Sequence, residues 1–178
     1  MPHLPKTSLV AKARQTAQHY SSGEDRPLGA YLAGIAIYSG LTTGLGLVAR
    51  SQRRPLPTPA PFEVFLLAAA THKLTRLVSK ESITSAIRAP FTEYKGVAGP
   101  AELTEEVRGE GVRHAVGELV TCPFCLAQWT ATGFTYGLIF APQATRLVAL
   151  TLTLTAVAGS DWLQLGYTWA QHKAKAKG

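Results

Sequence analysis

The sequence predicts an all-α integral membrane bundle of about four spans, the second short or re-entrant, with a charged cytoplasmic connecting segment. Three observations carry this. Only 16% of the 178 residues are charged, against 46% hydrophobic, well under the quarter or so usual in soluble domains. The charges are clustered, so residues 28–49 and 119–145 carry none and residues 147–170 carry Asp161 alone. Each of these runs reaches the roughly 20 residues that a helix needs to cross a bilayer. Between them, residues 80–118 hold seven acids and five Lys or Arg, the one substantial stretch suited to water.

In chain order, residues 1–27 form a polar, mostly basic tail. In it Leu9, Val10, Ala13, Ala17 and Tyr20 share one weak apolar face, the pattern of a helix lying on a membrane surface, with a flexible tail as the alternative. No uninterrupted apolar core with a small-residue cleavage site begins the sequence, so no signal peptide is expected. The first span is residues 28–49, and Gly40 and Gly44 within it form a small-xxx-small face for close helix approach. Arg50, Arg53 and Arg54 end it, and Pro55, Pro57, Pro59 and Pro61 make a short stiff connector.

Residues 61–79 are the second span. Glu63, His72, Lys73 and Arg76 interrupt it, and ionisable groups at membrane depth mark pairing or function. Lys73, Arg76 and Lys80 share a helical face. With Arg88 they are candidates for binding an anionic headgroup or phosphate. The simpler reading is a basic helix end snorkelling to the interface.

In the connector 80–118, Arg88-Ala-Pro-Phe-Thr92 reads as a turn and Gly96, Gly99 and Pro100 mark a loop. Glu102, Glu105 and Glu106 read as a solvated face, with acid/base chemistry as the sharper alternative. Val112, Ala115, Val116, Leu119 and Val120 recur at helical spacing and predict an amphipathic helix leading to Cys122.

Both cysteines lie in Cys122-Pro-Phe-Cys125, at the entrance to the third span, residues 122–142. Proline suits the first turn of a helix, where its missing N–H costs nothing, so Cys122 is expected at the N-cap and Cys125 on the first turn. Such a position favours thiolate. Three readings stand: dithiol redox chemistry, a metal-linked site with His114 or Glu118, and two small residues packing a helix start. No metal is expected, because a zinc site wants four ligands and neither a second C-x-x-C nor a closely spaced histidine pair occurs. Gly133 and Gly137 repeat the small-xxx-small pattern. The fourth span is residues 147–170. Its Asp161 is expected near the interface with Trp162 and Trp169, or paired with Lys73 or Arg76. Residues 171–178 form a basic tail.

The pI is near 9.7, yet no basic run interleaves with aromatics as a nucleic-acid surface would. Basic cytoplasmic flanks explain the balance. The tails and the 80–118 segment carry twelve Lys and Arg, against Arg50, Arg53, Arg54 and Arg146 on the other side. The asymmetry predicts a multi-pass protein with both termini cytoplasmic. If residues 61–79 do not cross, the sides after them exchange. No P-loop, G-x-G-x-x-G, H-E-x-x-H or G-x-S-x-G occurs, which removes the common nucleotide, zinc-protease and serine-hydrolase mechanisms.

Three motifs together carry a family resemblance: Thr71-His-Lys-Leu-Thr-Arg76, Arg88-Ala-Pro90-Phe91-Thr92, and Gly117-Glu118-Leu-Val-Thr-Cys122-Pro123-Phe-Cys125 followed by Trp129. They resemble an uncharacterised bacterial membrane family, domain-of-unknown-function family 1360. The resemblance covers residues 62–129 and the last span, with residues 1–55 additional. Ala127 departs from the glycine usual there and allows less close helix approach. The resemblance implies a small integral protein of the bacterial cell membrane, sometimes linked with sporulating bacteria, and supplies no catalytic role. The expected function is non-enzymatic: a structural, lipid-binding or partner-binding membrane protein, without cofactor. Self-association would run through Gly40/Gly44 and Gly133/Gly137. A membrane thiol-disulfide oxidoreductase using Cys122 and Cys125 is the main alternative, and the metal-linked site the other.

Overall fold

The computed structural model describes residues 20, 26–99, 101–159, 169, 172 and 173. The expected surface helix over residues 9–17, Pro100 of the expected loop, the placement of Asp161 and Trp162, and the tail beyond Lys173 lie outside the described residues.

Helix α1 (Leu28–Ser51) is followed by the proline connector and α2 (Pro61–Ser79), a 3-10 turn (Ser82–Thr84) and the single turn α3 (Ser85–Arg88). Strands β1 (Thr92–Gly99) and β2 (Glu102–Val107) come next. They precede α4 (Gly111–Thr121), α5 (Pro123–Phe140) and α6 (Pro142–Ala158). The chain is mostly helical, as expected, but not all-α. β1 and β2 pair antiparallel, from Thr92 opposite Val107 to Gly99 opposite Glu102, with register irregularities at Tyr94/Gly96 and Val97/Gly99. The segment read as a loop is a hairpin because Leu103 N–H and Ser82 N–H find the carbonyls of Lys80 and Ala101, pinning the ribbon to the end of α2.

Prolines start three of the helices: Pro61, Pro123 and Pro142 each occupy the first turn, where a missing N–H breaks no bond. The last long helix therefore begins at Pro142 rather than 147. Arg146 lies inside it, and its Nε donates to Glu63 Oε1 at 2.6 Å. α2 is one continuous helix over the residues expected for the second span. Gly109 (φ +88) and Gly111 (φ +58) make the left-handed lead from β2 into α4, a conformation that glycine alone adopts freely.

The core is small. Ala70, Phe134 and Ala149 bury together, with Leu67, Leu74 and Leu152 packed around them, so α2, α5 and α6 meet through alanines. Thr153 Oγ1 donates to Leu66 O at 2.8 Å. Gly137 faces Thr145 of α6 so closely that a Cβ would lie 2.5 Å from its Oγ1, whereas Gly40, Gly44 and Gly133 face open space. α1 lies against α4 and α5 and runs in the direction of α5: its Tyr31 reaches Glu118, Tyr38 reaches Thr132 and Thr42 meets Tyr136. Among the described residues, α1 is the one helix long and apolar enough to cross a membrane by length and composition.

Candidate functional site

Where α2 ends, its last carbonyls have no intrahelical partner. Arg88 supplies one. Its side chain is fully buried, with Nη1 donating to Val78 O at 2.7 Å and to Thr84 Oγ1 at 2.8 Å, and Nη2 to Glu81 O at 3.0 Å. Nε donates to the carboxylate of Glu105 on β2, whose side chain is 6% exposed. One guanidinium thus joins the end of α2, the 3-10 turn and the hairpin. The cation also lies at the negative end of the α2 dipole.

The Arg88–Thr92 turn is held as firmly. Thr92 Oγ1 donates to Arg88 O at 2.9 Å. Arg113 donates to Pro90 O through Nε at 2.9 Å and Nη2 at 2.6 Å, Arg108 Nη2 donates to Ala89 O at 2.8 Å, and Arg108 N–H donates to Phe91 O at 2.9 Å. Gly117 lets α4 lie against this turn: a Cβ there would be 2.5 Å from Val107 Cγ1 and 3.1 Å from Phe91 O.

The four basic residues expected to bind a headgroup gather at one end of α2, but three face carboxylates. Lys73 pairs with Glu81, Arg76 with Glu102, and Arg88 with Glu105. Among the described residues, Lys80 alone of the four makes no ion pair. Glu102 and Glu105, read from the sequence as solvated, are the missed partners. Only Glu106 behaves as read, 71% exposed and paired with Lys95 Nζ at 3.2 Å. Bonds from Glu106 and then Glu93 raise the Lys95 pKa. No sequence signal marks Glu105 as the one turned inward, because its partner lies in another element.

Cys122 is the N-cap of α5, and Pro123 opens the helix. Cys125 N–H donates to Cys122 Sγ at 3.2 Å, and both thiols are free. The metal-linked arrangement of Cys122 and Cys125 with His114 or Glu118 is not assembled. Among the described residues, no three His, Cys, Asp or Glu side chains converge to hold a metal ion. His114 Nδ1 is 3.2 Å from Gly109 O, and its Nε2 is 3.4 Å from Glu118. Glu118 also accepts from Tyr31 and from Arg26 Nη1 at 2.9 Å. Trp129 packs edge-on to Tyr38 with ring centroids 5.1 Å apart. Two motif residues, Glu118 and Trp129, therefore anchor α1.

The cap geometry carries a prediction. Serine is a strong N-cap, so Cys122→Ser is expected to leave the stability of the purified protein within about 0.5 kcal/mol of wild type, whereas Cys122→Ala costs about 0.5–2 kcal/mol. Circular dichroism melts of the two variants check this. Equal losses in both would show that the cap contributes nothing.

The family described as a protein of unknown function (DUF1360) matches residues 66–167. The chain is 32% identical over 110 residues to the sporulation protein YjcA of Bacillus subtilis (strain 168), an alignment covering 57% of this chain and 93% of that protein. No solved structure matches. α1 lies ahead of the matched residues, whereas the Arg88 turn, the hairpin and the C-P-F-C cap lie within them. On the family match and this relative together, the chain belongs to the DUF1360 family.

Proposed function

We propose that this chain is a four-span membrane protein without catalytic activity, which holds its hairpin and α4 as a rigid interfacial cap for a protein or lipid partner. The observation that carries the reading is an outward-facing apolar surface on three of the four long helices, α1, α2 and α6. Leu32 on α1, Phe65 on α2 and Leu154 on α6 are 61–66% exposed, while the buried apolar core among the described residues is three alanines with Phe134, Leu138 and Ile139. In water such a surface is a liability, and it marks a membrane or an interaction face. Helices of 24, 19, 18 and 17 residues rise about 26–36 Å at 1.5 Å per residue, close to the ~30 Å bilayer core. The charged hairpin lies at one end of the bundle and Arg50, Arg53 and Arg54 at the other.

In this reading both termini are cytoplasmic, and Cys122 and Cys125 face the cytoplasm. The name of the sporulation relative suggests sporulation as the process served. Gly40 and Gly44, open on α1, offer a face for self-association. The test is labelling with a membrane-impermeant maleimide in intact cells. Reaction only after permeabilisation, without prior reduction, is expected. Labelling from outside that requires reductant would overturn the topology and favour the thiol-oxidoreductase alternative. That second reading draws on Cys122 Sγ lying at a helix start beside an exposed Cys125. The Cys122→Ser variant, folded but lacking the thiol, isolates it.

A further inference from the structure

The tyrosines between α1 and α5 hold the two helices apart as well as together. Gln128 Nε2 donates to Tyr38 Oη at 2.6 Å, Tyr38 Oη is 2.7 Å from Thr132 Oγ1, and Thr132 Oγ1 donates to Gln128 O at 2.8 Å. One turn on, Tyr136 Oη donates to Thr42 O at 2.6 Å. A phenol reaching across to the facing helix spaces the axes by a ring length. Beside these rungs the α1 residues are small: Gly46, next to the Tyr136 hydroxyl, and Ala49 line a space shared with Thr135 and Ile139 of α5. A groove of about 730 Å3 results.

The groove runs to the end of α1, where Arg50, Arg54 and Leu56 line it. Among the described residues, the Arg50 guanidinium makes no ion pair, and Arg54 is bonded to the neutral Gln52 at 3.2 Å. The carboxylate at this end, Glu63, is taken by Arg146. Among the described residues, Arg50 and Arg54 thus face the groove without a carboxylate partner.

We propose that this groove is a binding site for an anionic phospholipid, its acyl chain lying between α1 and α5 and its phosphate held by Arg50 and Arg54. The inference rests on the membrane reading above and adds a ligand and a site to it. Charge complementarity selects the headgroup. The exposed apolar residues of α1, Leu45 and Val48 among them, select a lipid over a free phosphate, because a helix with such a surface sits in the bilayer, where an acyl chain can enter the groove sideways. The Tyr–Thr–Gln rungs close the floor with every hydroxyl bonded, as a wall facing hydrocarbon requires. α1, with both arginines, lies ahead of the matched family residues, while the α5 wall of the groove lies within them.

The test uses the full chain purified in mild detergent and offered phosphatidylglycerol or phosphatidylcholine, with retained lipid counted by mass spectrometry of the intact complex. Wild type is expected to retain phosphatidylglycerol with roughly thirtyfold preference, the scale of two basic contacts to an anionic surface. The exposed pair R50Q/R54Q abolishes the preference, Gly46→Leu lowers retention of both lipids by filling the groove, and K95Q on the hairpin changes neither. Equal retention of the two lipids by wild type overturns the proposal, as does retention unchanged in R50Q/R54Q and Gly46→Leu. Full displacement by millimolar inorganic phosphate also overturns it, in favour of a free-phosphate site. Alkaline washing of membranes separates the two levels of failure. A wild-type chain released into the supernatant sinks the membrane reading and the groove together. One that stays in the membrane but shows no lipid preference sinks the groove alone.

Discussion

Arg88→Met is expected to cost about 3–5 kcal/mol, the scale of removing one partner from a buried ion pair. The fully buried guanidinium holds Glu105 by Nε and satisfies Val78 O, Glu81 O and Thr84 Oγ1. Its loss strands a nearly buried carboxylate and leaves Val78 O only the long 3.4 Å approach of Thr84 Oγ1, while Glu81 O keeps its Thr84 donors. Total stabilities of about 5–15 kcal/mol leave little margin for such a change, so the variant should accumulate poorly and melt early in detergent. Arg88→Lys keeps the charge but not the fork, and should recover only part. The double variant R88M/E105M removes the stranded charge and should be more stable than R88M alone, a coupling that a double-mutant cycle measures. The contrast is Arg146 with Glu63, whose arginine side chain is 58% exposed; a surface pair of this kind is worth about 0–1 kcal/mol. If R88M melts no lower than R146Q, the Arg88 cluster is not what fastens the hairpin to α2.

Gly117→Val is expected to cost about 1–3 kcal/mol or more by overpacking. Even the first added carbon would lie 2.5 Å from Val107 Cγ1 and 3.1 Å from Phe91 O. The valine can turn aside. The Phe91 carbonyl cannot, because Arg108 N–H holds it at 2.9 Å inside a turn gripped by two arginines. α4 must therefore lift from the hairpin. Val107→Ala in the same chain should restore part of the loss, since it removes the nearer obstacle. Gly133→Ala is the matched control: it is also helical, but faces open space, and should stabilise by up to about 1 kcal/mol through propensity alone. Thermal melts of the four proteins decide it. A Gly117→Val protein as stable as Gly133→Ala would mean that α4 does not need that close approach.

Much of the fold was legible along the chain because its causes are local. Pro61 and Ser79 bound α2 where the proline connector and the apolar run predicted. Pro123 after Cys122 predicted the N-cap that Cys125 N–H completes. The 3.6-residue recurrence of Val112, Ala115, Val116 and Leu119 predicted α4. The hairpin was not legible. Its glycines read as a loop, and Glu102, Glu105 and Glu106 belong to a residue type depleted in strands. β1 and β2 exist because each pairs with the other and the ribbon is tied to Lys80, not because of their own preferences.

The site divides in the same way. Composition and spacing determined by themselves that the long segments are apolar helices, that basic residues collect at the end of the second, and that the cysteines open the third long helix. Only the tertiary structure decided what those basic residues do. Lys73, Arg76 and Arg88 meet carboxylates 8, 26 and 17 residues away, and their charge is spent on holding the hairpin, whereas Arg50 and Arg54 border an open groove. A sequence shows the sign and position of a charge. Whether an opposite charge reaches it across a turn of backbone is set by how the elements pack.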